Sequence, residues 1–332
     1  MKVLAPGLLT TVQDLGRIGF AKQGVSPSGA MDGNALRAAN LLVGNDEDAA
    51  GLEITSGGMR LEFRKRALIA ICGANFSLAI SGVALPSWRA IYVEDGSVVE
   101  FDDARRGWRA YFAVAGGIDV PTVMGSRSTY LRAGLGGLEG RPLRAGDQLA
   151  RGRAGAAAQR AMLDSGQSLG PLPFALTGRV LSNPERLYRS GPIRFIPGPQ
   201  WDMMDEADRK AFVTETFEIS TRSDRMGYRL SGRELRSAKG AELISTAVLT
   251  GTVQVPPGGE PIVLLADRQT TGGYPMVAQV IRADLGAVAQ LRPGNEIRFT
   301  EVTIDAAHEA LRYVENVVGE LKGAEDRAPS RP

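Results

Sequence analysis

The stretch Asp267-Arg-Gln-Thr-Thr-Gly-Gly-Tyr-Pro275 puts a carboxylate, a guanidinium, a side-chain amide, two hydroxyls and a phenol into nine consecutive residues. It joins two strand-like runs, Ile262–Ala266 and Met276–Ile281, and is longer than a minimal hairpin turn needs. Its adjacent glycines allow backbone N–H groups to come close to an anion. The strip therefore reads as a cradle for a small polar substrate, with a wide solvated loop as the plain alternative. Asp267, Gln269 and Tyr274 offer an acid, an amide and a phenol for positioned polar or proton chemistry. Thr270, Thr271, Gly272 and Gly273 offer uncharged donors, and Gln254, at the end of the preceding strand, is grouped with them.

Three weaker clusters accompany it. In Ser223-Asp-Arg225-Met-Gly-Tyr-Arg-Leu230, Arg225 sits beside an acid that could hold its fork toward a carboxylate, or merely form a surface ion pair. Gln23-Gly-Val-Ser-Pro-Ser-Gly-Ala-Met-Asp32 leads into a helix, so Ser28 and Asp32 stand either at an anion site or at an ordinary helix cap. Gly125-Ser126-Arg127-Ser-Thr129 offers three hydroxyls and an arginine in a loop.

Several chemistries fall away. The single Cys72 excludes internal disulfides and a Cys zinc cluster, and its apolar run marks it as packed. The single His308 excludes sites that need two imidazoles, and its place beside an apolar stripe reads as a packed or snorkelling residue. Gly134-Leu-Gly-Gly-Leu-Glu-Gly140 lacks the third glycine of a dinucleotide loop, no GxxxxGK[ST] motif occurs, and Gly24-Val-Ser26-Pro-Ser28 lacks the last glycine of a nucleophile elbow. No Met-Lys-Met context is present to carry biotin. A net charge of +2 creates no global field for nucleic acid or an anionic membrane, although only six of the 39 basic residues are lysines. No apolar run approaches a membrane span, and the N-terminus lacks a leader pattern, so a cytoplasmic chain is expected.

The elements that must position these residues are mostly strands. The 332 residues suit two domains, and 41 glycines, about 12% against a usual ~7%, imply many turns. Short apolar or alternating runs at Leu61–Phe63, Ala67–Cys72, Phe76–Ile80, Ala90–Val93, Val98–Phe101 and Arg109–Val114 recur roughly every ten residues, as in a barrel or sandwich. A second set covers Ile193–Ile196, Thr216–Ile219, Val248–Val255, Ile262–Ala266, Met276–Ile281 and Glu296–Val302. Helices are expected at Met31–Val43, Met203–Val213 and Asp305–Leu321. The pattern fails between Arg151 and Pro173, which places a domain boundary there. The expected division is 1–165, 175–303, and a C-terminal helix with a fraying tail over 304–332.

Seven motifs in order carry a family resemblance: Thr10-Thr-Val-Gln-Asp-Leu-Gly-Arg17, Ser28-Gly-Ala-Met-Asp32, Ala39-Asn-Leu-Leu-Val-Gly-Asn45, Gly125-Ser-Arg-Ser-Thr129, Pro197-Gly-Pro-Gln200, Ser223-Asp-Arg-Met-Gly227 and Gln269-Thr-Thr-Gly-Gly-Tyr-Pro275. Over roughly residues 1–300 the chain resembles the KipA-type family, which takes in the C component of 5-oxoprolinase, biotin-dependent carboxyltransferase and allophanate-hydrolase subunit 2 proteins. The resemblance implies a mainly β protein of two cyclophilin-like β-barrel domains with a few short helices. It implies a heteromeric 5-oxoprolinase complex with a KipI-like partner and a LamB/YcsF-type partner, opening 5-oxoproline to glutamate at the expense of ATP. Which chain binds ATP is left open, and no metal is called for. Arg225, Asp267, Gln269 and Tyr274 become candidate catalytic residues. Ser28, Asp32, Ser126, Arg127, Gln254, Thr270, Thr271, Gly272 and Gly273 become candidate substrate-binding residues. Two other readings stay open. One is a carboxyltransferase component acting on urea or a related amide with biotin carried by another chain, and the other is a non-enzymatic regulator that binds a KipI-like kinase inhibitor.

Overall fold

A computed structural model describes residues 1–167, 169–235 and 243–322. It is mainly β, and the chain divides into two units. Among the described residues, the first unit takes 1–17, 32–167, 169–184 and 316–322, and the second takes 18–31, 185–235 and 243–315.

In the first unit, β1 (Lys2–Pro6), β2 (Leu9–Gln13), β3 (Gly51–Thr55), β4 (Met59–Glu62), β5 (Ala67–Ile80), β6 (Val83–Leu85), β7 (Arg89–Val93), β8 (Val98–Val114) and β9 (Phe174–Val180) form one sheet. The expected pairs Ala67–Cys72/Phe76–Ile80 and Val98–Phe101/Arg109–Val114 are each a single long strand. Their register shifts three times between Gly73 and Leu78. Such bulges bend a strand and let it serve two layers. The first part of β8 accordingly pairs with β4, Met59 facing Phe101, and the last part with β3, Leu52 facing Phe112. Phe63, Phe101 and Phe112 meet edge-on or tilted inside the resulting barrel-like core.

Helix α1 (Gly33–Leu42) packs on β5 and β8. Asp32 is its N-cap, accepting from the Ala35 N–H at 3.1 Å. A second helix, α2 (Ala156–Gln167), occupies the region where the sequence shows no pattern. Its alanines favour helix without needing an apolar stripe, and only Ala158 and Met162, one turn apart, are buried. Beyond it β9 pairs antiparallel with β7, Val93 facing Phe174, and Phe174 enters the first core. That pairing carries the first unit to Pro184, past the expected boundary.

The second unit is a closed barrel. β10 (Ile193–Pro197), β11 (Phe217–Ile219), β12 (Gly227–Ser231), β14 (Thr252–Gln254), β15 (Ile262–Leu264), β17 (Met276–Val280), β18 (Glu296–Ile297) and β19 (Phe299–Glu301) are ordered 18-11-12-15-14-17-10-19. β18 pairs with β11 and β19 with β10, and only Arg298 separates them, so one segment joins both ends of the sheet. Closure removes the exposed strand edges. Helix α3 (Glu206–Thr214), capped by Asp205, contributes Phe212, which stacks on Phe299 at 4.5 Å with the rings 11° from parallel. The expected strand Val248–Val255 is broken: β13 (Thr246–Ala247) leaves the barrel and pairs with β16 (Thr271–Gly272), and Gly251, at φ 88°, turns the chain back into β14. The short α4 (Leu285–Ala289) also belongs to this unit, and α5 (Ile304–Gly319) is the last helix of the described residues. Ala310, Val314, Val317 and Val318 are its buried face. His308 is exposed on the other side of α5, so it is neither packed nor snorkelling.

Candidate functional site

The Asp267–Pro275 strip leaves the barrel after β15 and returns through β16, where Thr271 faces Ala247 and Gly272 faces Thr246. Gln254, at the end of β14, is 1% exposed. Its Nε2 donates to the Tyr274 carbonyl at 3.3 Å, and its Oε1 accepts from Gln269 Nε2 at 3.3 Å. Gly272 lies flat against this amide; a Cβ there would come 2.5 Å from Gln254 Nε2. A side chain at this position would displace the Gln254 amide. Gln269 is half-buried, Thr270 partly covered, Thr271 exposed, and the Tyr274 ring 47% exposed. Gly273 backs onto the Leu243 carbonyl. Gln254, Gln269, Gly272 and Tyr274 are therefore brought together, with the amide of Gln269 aligned by that of Gln254.

Arg225 and Asp267 form the floor beside this strip. Arg225 Nε donates to Oδ2 at 3.0 Å and Nη2 to Oδ1 at 3.1 Å, and the two residues are 4% and 3% exposed. The backbone repeats the link, Asp267 N–H donating to the Arg225 carbonyl at 2.9 Å. The acid that holds the Arg225 fork is thus Asp267 and not its neighbour Asp224, which caps the turn by accepting from the Met226 N–H at 2.7 Å. Arg225 Nη2 also donates to the Gly29 carbonyl at 2.7 Å, and Ser26 Oγ donates to the Ala266 carbonyl at 3.2 Å. These bonds fasten the loop that carries Ser28 to this floor. Ser28 adopts φ 53°, a left-handed conformation uncommon outside glycine, and its hydroxyl is buried with no hydrogen-bond partner.

The remaining predicted residues lie in the first unit. Asp32 is fully buried as the α1 cap, and its own N–H donates to the Tyr111 hydroxyl at 2.7 Å. That hydroxyl donates to Glu53 Oε2 at 2.8 Å, and Glu53 pairs with Arg109 at 3.7 Å. Burial first, and then the charges of Glu53 and Asp32, push the Tyr111 phenol well above its usual range, so it stays protonated. Ser126 and Arg127 belong to a knot around Asp14. Ser126 Oγ donates to Asp14 Oδ1 at 2.7 Å, the Arg127 N–H to Oδ2 at 2.5 Å, the Gly16 N–H to Oδ1 at 2.8 Å, and Ser128 Oγ also donates to Oδ1. The Arg127 guanidinium holds the Val120 carbonyl at 2.9 Å. The Gly125–Thr129 loop thus spends its polar groups on its own fold, and the fully buried Arg17 braces it through the Val123 and Ser128 carbonyls. Sequence reading missed Glu53, Tyr111, Asp14 and Arg17. A charged residue inside an otherwise apolar run, as in Leu52-Glu53-Ile54, was the available signal.

Among the described residues no group of three or more His, Cys, Asp or Glu side chains could hold a metal ion, and no helix is long and apolar enough to cross a membrane. What the second unit offers is an uncharged amide edge, two hydroxyls and a phenol over a neutralised ion pair. That set can align a planar amide through paired donor and acceptor bonds.

The chain is 41% identical over 326 residues to the C component of 5-oxoprolinase from Escherichia coli (strain K12), covering 97% of this chain and 98% of that protein. It is 36% identical to the C component of 5-oxoprolinase from Haemophilus influenzae, covering 94% of each. The crystal structure of the K. lactis urea amidolyase superposes with a TM-score of 0.84 at 30% identity, over 99% of this chain but only 20% of that one. Residues 23–301 match the carboxyltransferase domain, subdomain A and B, and this chain belongs to that family.

Proposed function

We propose that the chain is the C component of an ATP-dependent 5-oxoprolinase, converting 5-oxo-L-proline to L-glutamate in the cytoplasm. In this reading it is active only with a KipI-like partner and a LamB/YcsF-type partner. The end-to-end match to two proteins named as this component of 5-oxoprolinase supports the assignment. The observation that carries the chemistry is the Gln254–Gln269 pair.

A lactam presents N–H and C=O on one edge, because its ring forces the amide to be cis. A primary amide side chain presents a donor and an acceptor on one edge as well. Gln254 accepts from Gln269 Nε2, which restrains the Gln269 amide; in this reading the hydrogen taken is the one turned away from Oε1, and Oε1 with the other hydrogen pairs with the lactam edge. Opening the ring breaks the C–N bond; water supplies oxygen to the carbonyl carbon, and the departing nitrogen takes a proton. In the complex ATP would transfer its γ-phosphoryl group to the lactam oxygen and release ADP, making that carbon electrophilic; a second water would then release inorganic phosphate, so that one ATP and two waters give glutamate, ADP and phosphate. Among this chain's residues, the Thr270 and Thr271 hydroxyls and the Gly272 and Gly273 backbone are donors to charge that develops on oxygen. In this reading the phenol of the exposed Tyr274 passes the proton. Arg225 and Asp267 act as positioning residues, because each already satisfies the other.

The test is reconstitution. This chain, candidate KipI-like and LamB/YcsF-type partners, 5-oxoproline and ATP are mixed and glutamate is measured, then each component is omitted in turn. Glutamate only in the complete mixture supports the reading, and glutamate made without this chain contradicts it. The urea amidolyase likeness favours one second reading, a carboxyltransferase component for urea or a related amide. That reading requires a biotin carrier on another chain, detectable with avidin among the co-assembled proteins.

A further inference from the structure

Arg268 follows Asp267 and is itself 6% exposed. Its Nε donates to the Val248 carbonyl at 3.2 Å, whereas Nη1 is buried with no hydrogen-bond partner. Burial pushes its pKa down and no acid opposes that effect. The adjacent Asp267 carboxylate has both oxygens on Arg225. An arginine keeps its proton even so. A whole positive charge with an unused N–H therefore sits inside the second unit, where a buried donor left unpaired is strongly unfavourable.

The charge lies along the substrate strip. Val248, whose carbonyl holds Arg268, donates its own N–H to the Thr270 carbonyl at 3.1 Å. Ser28 supplies a second buried and unpartnered group, its hydroxyl. Of the residues that flank Ser28, Ser26 is tied to Ala266, two positions before Arg268, and Gly29 to Arg225, the ion-pair partner of Asp267. Holding Ser28 at φ 53° is a cost that the loop bears with no hydrogen bond from that hydroxyl in return.

We infer that Arg268 Nη1, with Ser28 Oγ, is the recognition subsite for the carboxylate of a small-molecule substrate. One unneutralised planar cation and one hydroxyl donor match a monoanionic carboxylate; a phosphate would bring up to two negative charges against one positive. Arg268 and Gln269 are consecutive, so a carboxylate on the first and an amide on the second describe one compact molecule carrying both. The inference rests on the proposed reaction for the identity of that molecule but not for its carboxylate.

The experiment uses the full chain assembled with its partners. Binding of 5-oxoproline and of 2-pyrrolidinone, the same ring without the carboxylate, is measured by calorimetry or ligand-detected NMR for wild type, Arg268→Met, Arg268→Lys and Ser28→Ala. Arg268→Met should weaken 5-oxoproline about 10- to 100-fold and leave 2-pyrrolidinone within about twofold. KM should rise with kcat nearly unchanged, Arg268→Lys should recover part of the loss, and Ser28→Ala should cost about 3- to 10-fold. The melting temperature of Arg268→Met should not fall, since an unpaired buried charge is removed. Unchanged 5-oxoproline affinity in Arg268→Met, or equal loss for both ligands, overturns the inference while the reaction stands. If the assembly makes no glutamate, the reaction falls, and the subsite is judged with propionate. Wild-type binding that Arg268→Met abolishes upholds it, and no binding or equal binding overturns it.

Discussion

Arg225 and Asp267 lie 42 residues apart in sequence and meet through two parallel N–H···O bonds of 3.0 and 3.1 Å, both side chains buried. The pair stands at the start of the polar strip and, through the Gly29 carbonyl, holds the Ser28 loop. Removing one partner strands the other charge in a low-dielectric interior. Asp267→Ala and Arg225→Ala should each lower stability by about 3–5 kcal/mol, read from urea unfolding. The apolar double variant Asp267→Leu/Arg225→Met should lose less than either alone. Additive losses would show that the two residues do not act as a unit.

Gly272→Ala separates the glycine's role from general folding. The atom a Cβ would meet is the end of a flexible side chain, Gln254 Nε2 at 2.5 Å. Stability should change by less than about 1 kcal/mol while the Gln254–Gln269 pairing is displaced. Turnover in the complex should drop about 10- to 100-fold, because small misplacements of positioning groups are expensive in rate.

The Asp14 knot makes a separate claim about the first unit. Its carboxylate accepts from two serine hydroxyls and two backbone N–H groups. Asp14→Ala leaves those donors unmatched and should cost about 2–4 kcal/mol, seen as a lowered melting temperature. A circular dichroism melt identical to wild type would assign the loop's order to other contacts.

A pH dependence follows from Asp147. Hydrogen bonds from Arg141, at 2.8 and 3.0 Å, and from the Arg144 N–H, at 2.7 Å, hold its carboxyl below the usual range. A depressed folded pKa contributes stability that is complete above the unfolded value of about 3.9 and disappears as pH falls through the lower folded value. Asp147→Asn should therefore flatten the fall in stability below about pH 4 and leave its shape at higher pH alone. Denaturant midpoints measured from pH 7 down to pH 2 check this.

The fold was legible where periodicity is simple and hidden where it is not. Alternation marked Ala67–Ile80 and Val98–Val114 as strand, but not their continuity through bulges, because a register shift erases the period of two. β1, β2, β3, β6, β9, β12, β13 and β16 went unseen, and α2 lacked an apolar stripe because an alanine-rich helix needs little burial. At the site, the Gln269–Pro275 strip stood out by composition, and Asp32 as a helix cap by position. The partner of Arg225 did not, since nothing local distinguishes Asp224 from Asp267; only the barrel register, Gly227 facing Leu264, brings the latter alongside. Ser126 and Arg127 look like ligand-binding residues in sequence for the same reason that they serve Asp14 in the fold: a loop rich in hydroxyls and N–H groups attracts any carboxylate, including one from its own chain.

The central claim is that the Gln269 amide, aligned by Gln254, receives the lactam edge. Glutamate formation from 5-oxoproline and ATP, measured in the complete complex for wild type and Gln269→Ala, tests it most directly. The account predicts a loss of at least about 100-fold in kcat/KM with the complex still assembled; turnover equal to wild type in that assembled complex would contradict it.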